Sequence, residues 1–210
     1  MTVLLLARHG ETDWNREKRW QGHADLPLSG HGRKQALDLA ERLASCPLAA
    51  VYSSDLRRAS ETASVIAEAR GLSVTTMRAL REVDVGSWTG LSRSEVKERF
   101  PEAYASWRRD APHPWEGGES YAEMGARVIE TLRAIARAHA EDRVLIVAHS
   151  GAIRTALARA VGVDYASDRE AVPKVSKGSL SAVVVDDDGS FRPLDADLDE
   201  HLRSAAATVS

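Results

Sequence analysis

One cysteine, Cys46, stands in a chain of 210 residues, which excludes an internal disulfide framework and suits a reducing compartment. Its thiol reads as a small hydrophobe near a helix end. No apolar run approaches the ~18 residues that a membrane-spanning helix needs. The opening Met1-Thr2-Val3-Leu4-Leu5-Leu6-Ala7 is too short for a signal segment and has no basic stretch before it. A basic excess is missing too: the net charge is −3 and the pI about 6.2, which argues against a nucleic-acid footprint. Paired His or Cys at metal-ligand spacing, such as H-E-x-x-H, is absent. Asp186-Asp187-Asp188-Gly189 lacks the later ligands of a calcium loop and reads as a solvated turn. These absences lead us to expect a soluble, cytoplasmic protein, monomer or homodimer, that binds neither nucleic acid nor membrane.

The length suits a single domain over residues 1–203, burying about 70% of its unfolded surface. The small residues 204–210 are expected to fray as a tail. Strand-like and helix-like segments alternate, which predicts a mostly parallel sheet covered by helices on both faces. Strands are expected at Val3–Ala7, Ala49–Ser53, Val144–Val147 and Leu180–Val185. Ser29 can cap a helix through Gln35, Leu39 and Leu43, and another helix is expected over 54–69 with Gly71 as its stop. Ser92-Arg93-Ser94-Glu95 and Ser120-Tyr121-Ala122-Glu123 fit capping boxes. The first opens a short helix stopped by Pro101; the second opens a long one to about Ala140. A last helix is expected over 152–161. The stretch Trp107–Glu119, with Pro112, Pro114, Gly117 and Gly118, resists regular structure and reads as a lid or rim.

Chemistry gathers where three of these apolar runs end. The first hands off to Arg8-His9-Gly10-Glu11-Thr12 with Asn15 shortly after, the second to Asp55-Leu56-Arg57-Arg58, the third to Ala148-His149-Ser150-Gly151. The carboxyl ends of strands are where open α/β folds place their ligands. With these strands side by side, Arg8, His9, Arg58 and His149 converge, and so much like charge is costly without an anion to neutralise it. Such a set suits a phosphomonoester. A neutral imidazole, His9, can attack phosphorus while Arg8 and Arg58 fork onto phosphoryl oxygens. His149 donates a further hydrogen bond, stronger if protonated. Asn15 and the backbone N–H groups of Ser150 and Gly151, just before a helix, add neutral donors. The leaving alkoxide needs a proton. Glu82 and Asp84, both near Trp88, are the candidates, and spacing does not decide between them. The scheme requires no metal and no cofactor.

Leu6-Ala7-Arg8-His9-Gly10-Glu11-Thr12 with Asn15 resembles the signature of the histidine phosphatase superfamily, which includes cofactor-dependent phosphoglycerate mutases. Gln21-Gly22 with Asp25-Leu26-Pro27-Leu28-Ser29 resembles the continuation of its phosphate loop. Ser53-Ser54-Asp55-Leu56-Arg57-Arg58-Ala59 resembles its second arginine motif, and Leu80-Arg81-Glu82 with Gly86, Trp88 and Gly90 its acid motif, which selects Glu82 over Asp84. Gly117-Gly118-Glu119-Ser120 and Val147-Ala148-His149 complete the set. The resemblance implies a three-layer αβα sandwich of the phosphoglycerate mutase-like kind, a phosphohistidine on His9, no cofactor, and a small phosphorylated metabolite as partner. It also implies phosphate contacts from Gln21 and Gly22. Ser150 stands where many members carry Gly.

Mutases of this family are typically longer, with an insertion that closes over the site. Trp107-Arg108-Arg109 echoes their paired arginines, whereas 110–120 look more like the shorter broad-specificity and sugar-phosphate phosphatases. A phosphatase is therefore expected, with a mutase as the alternative and a non-catalytic phosphate-binding module as the more distant one. Trp14, Trp20, Trp88, Trp107 and Trp115 all fall in segments placed around the pocket. They either cap the core beneath loops or form an aromatic rim; Trp88, Arg108, Arg109 and Trp115 are the rim candidates.

Overall fold

The structure is a computed structural model that describes residues 1–109, 111, 113–194 and 198. The expected tail at 204–210 lies outside the described residues. The strands are β1 (Thr2–Arg8), β2 (Ala50–Ser53), β3 (Val74–Thr76), β4 (Arg143–Ala148), β5 (Leu180–Val185) and β6 (Phe191–Pro193). They form one sheet in the order β3-β2-β4-β1-β5-β6. The first four run parallel; β5 is antiparallel to β1, and β6 to β5. The helices are α1 (Asp13–Arg16), α2 (Gly30–Arg42), α3 (Arg57–Glu68), α4 (Arg93–Arg99), α5 (Pro101–Arg108), α6 (Tyr121–Ala138) and α7 (Ser150–Ala160).

A continuous apolar run suits a strand covered on both faces, because successive side chains point opposite ways. In β1 and β4, Leu4, Leu6, Val144 and Ile146 join one core with Met124, Val128 and Leu132 of α6 and Ile153 and Ala156 of α7. Their neighbours Leu5, Ala7, Leu145 and Val147 join a second core with Leu39 of α2 and Ala59, Ala63 and Ile66 of α3. The two cores are what make the fold three layers. Among the described residues, no helix is long and apolar enough to cross a membrane.

Local signals explain most helix ends. Ser29 caps α2, and the Ser92–Glu95 and Ser120–Glu123 boxes are both closed. Pro101 does not merely stop a helix. It follows Phe100, the last cap of α4, and opens α5 at the position where its missing N–H costs nothing. As a result Trp107 and Arg108 are helical, and the irregular stretch starts at Arg109. Asp110 and Pro112 lie outside the described residues. Helix α7 begins at Ser150 rather than at 152, so Ser150 and Gly151 are its first turn.

Register sets the site. Arg8 lies opposite Ala148, and Ser53 opposite Val147, so His9, His149 and Ser54 leave the sheet at one edge. Antiparallel β5 begins beside Ala7, so the preceding residues 175–179 enter at that same edge.

Candidate active site

His9 is buried at this edge, its backbone N–H bonded to Ala148 O at 3.1 Å. Its Nδ1 lies 2.7 Å from Gly10 O. A carbonyl only accepts, so Nδ1 carries the proton and Nε2 keeps its lone pair. Gly10 is pressed against the start of α2, where a Cβ would sit 2.3 Å from Gly32 O. Only glycine allows that approach, and it fixes the backbone that carries His9.

Arg58, in the first turn of α3, is 1% exposed and held from behind: Nη1 donates to Ala24 O at 2.7 Å and Nη2 to Gly22 O at 2.9 Å. Gly22 therefore faces Arg58 through its carbonyl, and Gln21 accepts from the Thr12 hydroxyl at 3.0 Å. Both residues, expected to contact phosphate, support the loop around it in this structure. Arg8 donates through Nη1 to Val175 O at 2.7 Å. The His149 ring lies 5.1 Å from that of His9, centroid to centroid. Asn15 spends its side-chain oxygen on the Thr12 N–H, closing a capping box for α1.

The two candidate acids differ in what they touch. Both Glu82 carboxylate oxygens accept from the Gly151 N–H, at 3.2 and 3.1 Å, in the first turn of α7. The Gly151 N–H, expected for phosphate, is thus taken by the carboxylate that the helix N-terminus attracts. Glu82 is also the acidic group that acts most strongly on both Arg8 and Arg58. Asp84 instead accepts from the Gly86 N–H and builds its own loop.

Burial dominates the electrostatics. It lowers Arg8 and brings Arg58 down to about 10, both still charged at neutral pH. Burial first, then Arg58 and the other nearby cations, hold His9 and His149 well below the ordinary imidazole value. For His149 the hydrogen bond expected from the sequence is therefore that of a neutral imidazole, not the stronger one of a protonated ring. Both rings therefore favour their neutral form, whereas the unfolded chain protonates them below about pH 6.5. Stability from this source should be complete above that pH and fall as pH drops toward the folded values. The slope is up to about 1.4 kcal/mol per pH unit for each histidine. Urea midpoints from pH 7.5 to pH 5 measure it. A flat profile, or an unchanged slope in the double variant His9→Asn/His149→Asn, would sink the assignment.

Around this centre, Nε of Arg8, Nε of Arg58 and both ring nitrogens of His149 are buried without a hydrogen-bond partner. Buried polar groups are ordinarily satisfied, so this concentration marks a place built for an oxyanion. A cavity of about 300 Å³ opens beside Arg8 and Ser150, bordered by Arg93, Trp107, Arg108, Arg154 and Lys174. The larger cavity, about 740 Å³ between α6 and α7, is not bordered by Arg8, His9, Arg58, Glu82 or His149.

The rim expectation changes. Trp88 is 0% and Trp115 4% exposed. They pack edge-on at 5.5 Å, in one cluster with Trp20, Trp107 and Tyr121. Large rings bury more area inside than at a rim, and here they fill the space between the 85–91 segment and α6. Only Trp107 of the five borders the cavity. Arg108 does as well, while Arg109 is exposed and does not. Sequence reasoning passed over Arg93, Arg154 and Lys174. Arg154 had a signal, standing four residues after Ser150 and so on the same helix face.

Residues 4–193 match the model of the histidine phosphatase superfamily, branch 1. The chain belongs to this superfamily. By sequence it is 39% identical over 166 residues to phosphoserine phosphatase 1 of Hydrogenobacter thermophilus, covering 78% of each chain. It is 43% identical over 162 residues to phosphoglycerate mutase-like protein 4 of Arabidopsis thaliana, covering 75% of this chain and 70% of that one. By structure it is similar to a mycobacterial glucosyl-3-phosphoglycerate phosphatase complexed with VO3. The TM-score there is 0.84 and the identity 33%, over 93% of this chain and 98% of the other. This histidine phosphatase thus has the mostly parallel αβα fold of its superfamily and is an enzyme of the phosphatase class.

Proposed function

We propose that this chain is a metal-independent phosphomonoesterase that hydrolyses small phosphate esters through a phosphohistidine on His9. The observation that carries the reading is the tautomer of His9. Its Nδ1–H is committed to Gly10 O, which leaves the lone pair of Nε2 free close to Arg8 and Arg58, two buried cations whose Nε–H groups lack an acceptor. In the first step Nε2 bonds to phosphorus and the P–O bond to the alcohol breaks. Glu82, as general acid, gives a proton to the departing alkoxide. Arg8, Arg58 and His149 hold the phosphoryl oxygens throughout. In the second step water attacks phosphorus, Glu82 takes its proton and the P–N bond breaks. Inorganic phosphate leaves and Glu82 is protonated again.

Two features favour hydrolysis over phosphoryl return to a mutase substrate. Only residues 109–120 separate α5 from α6, too few to close over the site and exclude water. The cavity beside Arg8 is bordered by the exposed cations Arg93, Arg108 and Lys174. They favour an ester with a second anionic group, in keeping with relatives named for phosphoserine and glucosyl-3-phosphoglycerate.

The deciding experiment is phosphate release in EDTA from phosphoserine, 3-phosphoglycerate and a neutral sugar phosphate, with and without 2,3-bisphosphoglycerate. Release without primer, faster for the carboxylate-bearing esters, is the expected result. Primer-dependent conversion to 2-phosphoglycerate with little release would make the chain a mutase. Binding without either activity would leave only a phosphate-binding module.

A further inference from the structure

Arg127 takes no part in the chemistry above, yet it is the best-anchored cation near the site. It lies in the second turn of α6 and is half-buried. Its Nη1 donates to Ala79 O and Arg81 O, each at 2.8 Å, and its Nη2 to Glu82 O at 2.9 Å. Glu119 completes the set, accepting from Nε at 2.9 Å and from Nη2 in a short contact. All five N–H donors of the guanidinium are therefore in use.

The acceptors show what this fork does. The segment between the 3₁₀ turns Arg78–Leu80 and Gly86–Trp88 has no helix or strand to satisfy its carbonyls. Arg127 supplies the missing donors from a rigid helix, one of them to the carbonyl of Glu82 itself. Glu119 ties the far side of the segment, accepting from the Asp84 N–H and donating its own N–H to Asp84 O, each at 3.1 Å. His23 adds a second donor to Glu82 O, through Nε2 at 2.9 Å. The side chain of Glu82 meets Gly151 on a different helix, so its aim depends on where this backbone is held.

We infer that Arg127, oriented by Glu119, is a positioning residue for proton transfer, fixing the backbone from which Glu82 reaches the leaving group. The inference rests on the proposed role of Glu82. It has a consequence that a merely structural role does not share. An alkyl ester departs as a strongly basic alkoxide and needs the proton, whereas 2,4-dinitrophenyl phosphate releases a stable phenolate and does not. Loss of position should therefore slow one ester and spare the other.

The experiment compares kcat/KM for phosphoserine and 2,4-dinitrophenyl phosphate in wild type, Arg127→Met, Arg127→Lys, Glu82→Gln and the double variant Glu82→Gln/Arg127→Met. Misplacing a catalytic group by an ångström costs up to about 100-fold, so Arg127→Met should lose about 10- to 100-fold on phosphoserine and under about 3-fold on the dinitrophenyl ester. Arg127→Lys keeps the charge but not the fork and should show the same selectivity at smaller size. If Arg127→Met fails to fold, Arg127→Lys carries the comparison. Glu82→Gln should show the selectivity most strongly, and the double variant should be no worse than Glu82→Gln alone. Equal losses on both esters in the Arg127 variants, beside a selective Glu82→Gln, would overturn the positioning role. A Glu82→Gln enzyme slowed equally on both would overturn the proton-donor assignment, and this inference with it.

Discussion

Replacing His9 with Ala should lower phosphate release on the order of 10⁴-fold or more, the loss expected when a nucleophile acting in concert with its partners is removed. Nothing nearby can take its place. The other imidazole, His149, lies 5.1 Å away and is held among the same cations, but neither of its ring nitrogens has a partner that would fix its tautomer. His9 alone has Nδ1–H pinned to a carbonyl. The variant should still bind phosphate, because Arg8, Arg58 and His149 are untouched. The check is twofold. Rapid quench with a ³²P-labelled ester should trap label on wild-type protein, stable in base and lost in acid, and none on His9→Ala. Retention of more than about 1% of turnover, or label on the variant, would move the nucleophile elsewhere.

The sheet edge was legible because it rests on the strongest sequence signals. Apolar runs such as Val3–Ala7 and Val144–Val147 can only be strands buried on both faces, and the polar residues that end them must emerge together. The Ser92 and Ser120 boxes were legible for the same reason: a side chain four positions long in pattern satisfies a backbone it can be seen to satisfy. Short elements were not. Helix α1 has four residues and β3 and β6 three each, too few to show a period. Burial of the tryptophans was undecidable from sequence, since Trp88 and Trp115 meet only after α6 folds back over the 85–91 segment. Residue spacing also left Glu82 and Asp84 open, because the contact that distinguishes them is with Gly151, 69 residues away from Glu82 in the chain. Arg127 gave no sign at all. Its partners are backbone carbonyls, and those have no identity in a sequence.

Gly151→Ala should cut turnover about 100-fold while leaving the protein as stable as before or slightly more so. Its backbone is ordinary helix, with no left-handed angle to relieve, and in a helix Ala is favoured over Gly by up to about 1 kcal/mol. What glycine provides here is space. A Cβ at this position would sit 2.3 Å from Glu82 Oε1 and 3.2 Å from Met124 Sδ. Helix α7 is packed on the sheet and against its neighbour α6 and cannot retreat, so the carboxylate must move. His9, Arg8 and Arg58 stay in place, so the variant keeps its nucleophile and loses the group that takes a proton from water. With 2,4-dinitrophenyl phosphate, which needs no acid, the first step should proceed and the second stall. Phosphorylated His9 should then accumulate, visible as a burst of dinitrophenol of one equivalent per enzyme, followed by slow turnover. A lowered melting temperature with proportionate loss of activity would mean that Gly151 serves the fold. Unchanged steady-state turnover would mean that the contact between Glu82 and the start of α7 is not the working position of the acid.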